Sequence, residues 1–308
     1  MKMPLCAKLT LPIIFLSLPH SADALPFALE RNLSATKTIE VHGHRGARAR
    51  FPENTLPAFS YAIDVGVDVL EMDMGVSKDN VIVISHDQFI SPKICLESNG
   101  KTLNAPVLIH SLTLSEIKKF DCGSIKNPRF PKQTPVPGTK IPTLEEVFDL
   151  VLHSKNPHAA SIRFNIETKI NTEFPDNTVD PSTFVDLFLK LVTKFNFQDR
   201  VILQSFDFRT LEILRQKYPK ILRAALTDSR LKNSVDIAKT TQSQILSPVA
   251  YFVDANYVQK LHNLGVSVVP WTANERVEWA QLVRAGVDGI ISDDPESLIQ
   301  YLKEKGLR

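Results

Sequence analysis

Val41 to Asp87 reads VHGHRGARARFPENTLPAFSYAIDVGVDVLEMDMGVSKDNVIVISHD, and the course of this stretch decides the fold. Thr38 to His42 is a short apolar strand leading into it. Asn54 or Thr55 can cap a helix through Ile63, with apolar residues at Leu56, Phe59, Ala62 and Ile63. Gly66 ends that helix in the left-handed position that lets a helix turn directly into a strand, here Val67 to Met72. Only Ser77-Lys78-Asp79-Asn80 separates this strand region from the next, Val81 to His86. A parallel crossover needs about a dozen residues or more, so the return must be an antiparallel hairpin. Such a hairpin brings His86 beside Met72 and Asp73.

The helix–glycine–strand join recurs at Leu264-Gly265-Val266 and Ala285-Gly286-Val287, so βα units extend to the far end of the chain. Further strands are expected at Ile162–Ile166, Val201–Ser205, Leu222–Leu226, Gln244–Val249, Val266–Trp271 and Gly289–Ser292. Amphipathic stretches lie between them. With the first two strands these make eight βα units and predict an α/β TIM (β/α)8 barrel. A doubly wound open sheet is the alternative, but no G-x-G-x-x-G follows the first strand. Gln88 to Pro142 lacks the barrel rhythm and carries Pro128, Pro131, Pro135, Pro137 and Pro142. We read it as a capping insertion (88–142) after the second strand's hairpin, since loops of this length in compact domains are usually functional. The barrel resumes where Thr143 caps a helix and Glu146 completes a capping box.

The chain opens with Met1, Lys2 and Lys8, an apolar run from Leu9 to Leu18, and Ala22-Asp23-Ala24. That is the pattern of a secretory signal peptide over 1–24, followed by a lead-in segment over 25–38 and the barrel domain over 39–308. The reading is of an exported protein, periplasmic or secreted. Its removal leaves Cys95 and Cys122, which are either a disulfide or two separate thiols. The formal charge is +2 with Lys and Arg scattered, which argues against nucleic acid as a partner. No later stretch has the apolar length of a membrane span, and nothing in the sequence calls for a protein partner.

Active sites of barrels form at strand C-termini. Collecting those positions gives His44 and Arg45, Glu71 and Asp73, Glu167 and Lys169, Gln204, Trp271 and Asp293. Glu71 and Asp73 alternate by two and so share one strand face. Two such carboxylates repel unless a cation sits between them, and Glu167 can supply a third. Oxygen-only ligation suits a divalent cation such as Ca²⁺, then Mg²⁺, rather than Zn²⁺. Arg45 and Lys169 at the same rim suit a phosphate. Imidazole side chains ordinarily titrate near working pH, so His44 and His86 suit a general acid and base.

The set H-R-G with E-N-T, then E-M-D, H-D, E-T-K, Q-S-F, W-T-A-N and D-G-I-I-S-D, running from His44 to Asp293, resembles the glycerophosphodiester phosphodiesterase family. The resemblance implies a TIM barrel related to phosphatidylinositol-specific phospholipases C. It implies metal-dependent hydrolysis of small-molecule glycerophosphodiesters to sn-glycerol 3-phosphate and an alcohol. By the same match His44 and His86 are the acid–base pair, and Glu71, Asp73 and Glu167 hold the metal. Arg45 and Lys169 bind phosphate, Trp271 lines the glycerol side, Glu53 braces Arg45 or the helix start, and Gln204 supports the site. The insertion resembles that of exported bacterial members. A lysophospholipase D-like activity on the same site is an alternative. A zinc amidohydrolase, suggested by the H-x-H of His42 and His44, lacks histidines after the fifth and sixth strands. A non-catalytic phosphodiester binder remains as a third reading.

Overall fold

A computed structural model of the chain describes residues 38–228 and 233–308. The expected signal peptide, and the lead-in up to residue 37, lie outside the described residues. Among the described residues eleven strands follow in chain order. They are β1 (Glu40–Gly43), β2 (Val69–Val76), β3 (Ile82–Ile84), β4 (Phe89–Ile90), β5 (Val107–Leu108) and β6 (Arg163–Thr168). The rest are β7 (Val201–Ser205), β8 (Leu222–Thr227), β9 (Ile245–Pro248), β10 (Ser267–Val268) and β11 (Gly289–Ser292).

The parallel strands lie in the order β10-β9-β8-β7-β6-β2-β1-β11. The first and last strands of the chain pair, with His42 opposite Ile291. Between β10 and β11 there is no regular ladder, yet Asp288 N donates to Val268 O at 2.9 Å and Ile291 N to Pro270 O at 3.0 Å. The ring is thus nearly closed, as an eight-stranded TIM barrel requires. The strand expected over Val266–Trp271 is cut to two residues. Pro270 has no N–H to give to a ladder, which interrupts pairing there. The second strand starts later than expected, at Val69, because Val67 N still bonds back to Ala62 O beyond the left-handed Gly66 (φ 91°).

Helices at Leu56–Val65, Leu144–Leu152, Pro181–Lys194, Phe208–Lys217, Ser234–Thr241, Ala255–His262, Arg276–Ala285 and Pro295–Glu304 surround the ring. Outward strand residues such as Leu70, Met72, Met74, Phe164 and Ile166 meet the helices in the main core. Strand alternation sends the intervening residues inward. The inward residues of β1, β2 and β6 are polar: His42, Glu71, Asp73, Asn165 and Glu167 are all buried. On the opposite wall Ile202, Ala224, Ile245, Val269 and Ile291 form a separate apolar cluster. The barrel interior is therefore polar on one side and apolar on the other.

β3 returns antiparallel to β2, pairing Met74 with Ile84 and Val76 with Ile82, so the hairpin forms as the short Ser77–Asn80 tip demands. Residues 88–142 follow it and have a small core of their own, with Ile90, Cys95, Leu103, Ile109, Ile117, Cys122 and Ile141 packed on Val83 of β3. Cys95 and Cys122 are disulfide-bonded within it. Thr143 and Glu146 form the expected capping box at the next barrel helix.

Candidate active site

The charged residues gather at the C-terminal ends of β1, β2 and β6. Oxygens of Glu71, Asp73 and Glu167 lie within 4.8 Å of one another, the one such cluster of possible metal ligands among the described residues. All three are buried. Three like charges in so small a space call for compensation. Two cations supply part of it. Lys169 Nζ is 2.8 Å from Glu167 Oε1 and 3.7 Å from Asp73 Oδ1. Arg45 Nε is 3.4 Å from Asp73 Oδ2, and its backbone N donates to Glu71 Oε2 at 2.9 Å.

Burial, reinforced by the charge of Asp73, pushes Glu71 well above the ordinary carboxylate range. Burial and Asp73 likewise raise Glu167, against the pull of Lys169. Burial would raise Asp73 too, but the charges of Lys169, Arg45 and His86 and the Asn54 hydrogen bond hold it far below its usual value. The protein's own cations thus satisfy one of the three carboxylates. A further cation among them would oppose the upward push on the two others, and a donor set made wholly of carboxylate oxygen fits a hard divalent ion.

Each carboxylate is also aimed by a neutral neighbour. Gln204 Nε2 donates to Glu71 Oε1 at 2.6 Å and its Oε1 accepts from Asn165 at 3.0 Å. Asn54 Nδ2 donates to Asp73 Oδ2 at 2.9 Å. Of the two caps considered for the first barrel helix, only Thr55 serves, accepting from Ala58 N. Asn54 sits at φ 56° instead, a left-handed conformation that asparagine tolerates and that turns its amide into the site.

His44 closes one side. Its N–H bonds to Ser292 O at the β1–β11 seam, and Nδ1 lies 2.5 Å from Asp293 Oδ1. With Asp293 a carboxylate, Nδ1 carries the proton and Nε2 presents a lone pair 3.9 Å from Glu71 Oε2. Burial, with the charges of Arg45 and Arg48, takes His44 down to about 4 in spite of the Asp293 hydrogen bond. Asp293 is itself gripped by Arg48 through both carboxylate oxygens, at 2.5 and 3.1 Å, and by Asn274 at 2.8 Å. Glu53 accepts from Arg45 at 2.7 Å and lies 3.6 Å from Arg48, so it braces both arginines.

His86 stands on the other side. The β2–β3 register carries on past the ladder, with Ser85 N donating to Asp73 O at 2.9 Å, so His86 is level with Met72. Its Nδ1 is 2.7 Å from Asp87 Oδ1, the same imidazole–carboxylate arrangement as at His44. His86, Glu167 and Lys169 line an open pocket of about 410 Å³ together with Phe89, Ile170 and Phe206. Trp271 is half-buried on the apolar side. Its ring meets Phe206 edge-on at 5.7 Å, and its indole N–H donates to Ser247 O. His42 is buried below the site, 3.5 Å from Asn165 Nδ2 and 3.5 Å from Glu40, far from the role of a zinc ligand.

The singled-out residues other than Trp271 therefore meet around one carboxylate cluster. Sequence reading gave no role to Arg48, Asn54 or Asn274 in the site, although Asn54 lies inside the E-N-T motif and Asn274 inside W-T-A-N.

A family model described as the glycerophosphoryl diester phosphodiesterase family matches residues 44–297. A glycerophosphodiester phosphodiesterase from Caldanaerobacter subterraneus is 29% identical over 270 residues, spanning 88% of this chain and 100% of that protein. Lysophospholipase D from Mus musculus is 24% identical, spanning 84% of each. Among solved structures, a putative glycerophosphoryl diester phosphodiesterase from Silicibacter pomeroyi superposes with a TM-score of 0.81 at 27% identity, covering 88% of this chain and 95% of that one. An Oleispira antarctica phosphodiesterase, solved with its product sn-glycerol-3-phosphate, shares the fold with a TM-score of 0.71 at 22% identity, over 86% of this chain and 97% of that one. The chain belongs to the glycerophosphoryl diester phosphodiesterase family and is a phosphoric diester hydrolase.

Proposed function

We propose that the chain hydrolyses glycerophosphodiesters to sn-glycerol 3-phosphate and an alcohol, with His44 and His86 as the acid–base pair. One observation carries this reading: two imidazoles, each tied at Nδ1 to a carboxylate, flank a buried carboxylate trio and two cations. Tied in that way, each histidine keeps its Nε2 free for proton transfer, and that of His44 lies 3.9 Å from Glu71 Oε2. One ring takes the proton of the attacking oxygen and the other returns a proton to the departing alcohol. Arg45 and Lys169 draw the phosphate to the site and oppose charge on its non-bridging oxygens. Gln204, Asn54 and Glu53 keep the charged groups in register.

A divalent cation, Ca²⁺ ahead of Mg²⁺, held by Glu71, Asp73 and Glu167, adds Lewis-acid stabilisation at phosphorus when bound. Trp271, behind Phe206, lines the glycerol side. Export is supported by the N-terminal pattern and by the Cys95–Cys122 bond, since such bonds persist in oxidising compartments. A lysophospholipid is the second substrate to consider. A narrow, largely apolar crevice with Ile84, Ile90, Ile94, Ile125 and Ile141 on its walls adjoins His86.

The deciding assay measures release of glycerol 3-phosphate from glycerophosphocholine, with and without chelator. His44→Ala and His86→Ala should each abolish nearly all turnover while the melting temperature stays close to that of the parent. Turnover untouched by EDTA, or retained in either variant, would overturn the reading.

A further inference from the structure

The insertion touches the catalytic machinery at a point remote from the β2–β3 hairpin. Gln133 is 3% exposed and has every polar end engaged with the loop after β1 or with its own segment. Its Nε2 donates to Arg48 O at 2.7 Å and to Phe51 O at 3.2 Å, and its Oε1 accepts from Asn127 N at 2.8 Å. Thr134 N adds a bond to Arg50 O at 2.8 Å. Phe130, three residues before Gln133, lays its ring against the Arg48 guanidinium at 5.2 Å from the centroid. On its other contacts that guanidinium forks onto Asp293, and Asp293 holds His44.

We infer that Phe130 and Gln133 are positioning residues for His44, acting through Arg48 and Asp293. The inference rests on the proposed role of His44. Gln133 fixes the backbone from which Arg48 departs. Phe130 covers the charged head, keeping water from the Arg48–Asp293 pair and strengthening it. Arg48 has another carboxylate within reach, Glu53 at 3.6 Å. If the ring is removed, the fork can turn toward Glu53 and water. Asp293 then keeps only Asn274 and the imidazole, and the ring of His44 loses its fixed tilt. Small losses of alignment fall on the chemical step rather than on substrate capture, because reaction needs orientation that binding does not.

The test uses the full chain with Ca²⁺ supplied, in the variants Phe130→Ala, Phe130→Leu, Phe130→Tyr and Gln133→Leu. Turnover of glycerophosphocholine is measured alongside the substrate-free proton NMR signal of the His44 Nδ1–H, which a short bond to a carboxylate moves far downfield. The alanine and Gln133→Leu variants should lose roughly tenfold to a hundredfold in kcat with KM changed less than about twofold. Their downfield proton should broaden or vanish. Phe130→Tyr, which keeps the ring face, should hold both within about twofold of the parent. If Phe130→Ala does not fold, Phe130→Leu, which keeps apolar bulk without the ring, takes its place. Undiminished kcat, a loss confined to KM, or a sharp downfield proton in the impaired variants would overturn the inference. A parent that shows the downfield proton but no turnover would overturn the proposed reaction and leave the relay to be decided by NMR.

Discussion

Asn54 and Gln204 show how neutral side chains set the behaviour of charged ones. Each gives a hydrogen bond to one carboxylate of the trio, at 2.9 and 2.6 Å. Partners of this kind are typically worth about tenfold to a hundredfold in metal affinity. Calorimetric titration of Ca²⁺ into Asn54→Ala and Gln204→Leu should show weakening of roughly that size; affinity equal to the parent would remove both from the argument. The charged members were legible because glutamate, aspartate and histidine have little other reason to stand at strand ends. Asn54 was ambiguous since asparagine also caps helices, and only its φ of 56° separates the two uses. Arg48 could not be read at all. Its importance comes from Asp293, 245 residues away, and no local pattern reports such a pairing.

The hairpin β2–β3 is the element whose direction the sequence determined most firmly. A four-residue tip leaves a strand nowhere to go but back, and that return puts His86 opposite His44 across the carboxylates. The insertion behind it was legible as an interruption but not as a structure. Its strands are two residues long, and its apolar residues lack any sustained period. A small core of that kind needs a covalent brace. The Cys95–Cys122 bond spans 27 residues, for which chain entropy gives about 3.5 kcal/mol. Replacing both cysteines by serine should lower unfolding stability in denaturant by about 2–4 kcal/mol, or split off an earlier transition for the insertion. A single transition at the parent's midpoint would show that the bond adds nothing.

Across the whole molecule, eight strands were counted correctly because glycine-terminated helices and apolar strand runs repeat. The strand edges were not, because Val67 and Pro270 answer to hydrogen bonding rather than to apolarity. The floor of the barrel has its own electrostatics. Burial alone would raise Glu40, but His42 and Arg163, the latter 2.6 Å away, bring it down to about 2. A carboxylate lowered in the folded state stabilises above its unfolded value of 4.5, and that contribution is lost as pH falls toward 2. Because the Glu40 side chain is 42% exposed, screening reduces the effect to about 1 kcal/mol. Between pH 5 and pH 2 the parent should therefore lose about 1 kcal/mol more stability than Glu40→Gln; parallel acid limbs would count against it.

The pairing of β1 with β11 also has a consequence in time. His44 leaves the ribosome 249 residues ahead of Asp293. The imidazole receives its carboxylate only when the final strand docks and the ring is sealed. A nascent chain thus carries the carboxylate trio and both histidines before the carboxylate partner of His44 has been made. Alignment of His44 is therefore tied to the docking of β11 on β1.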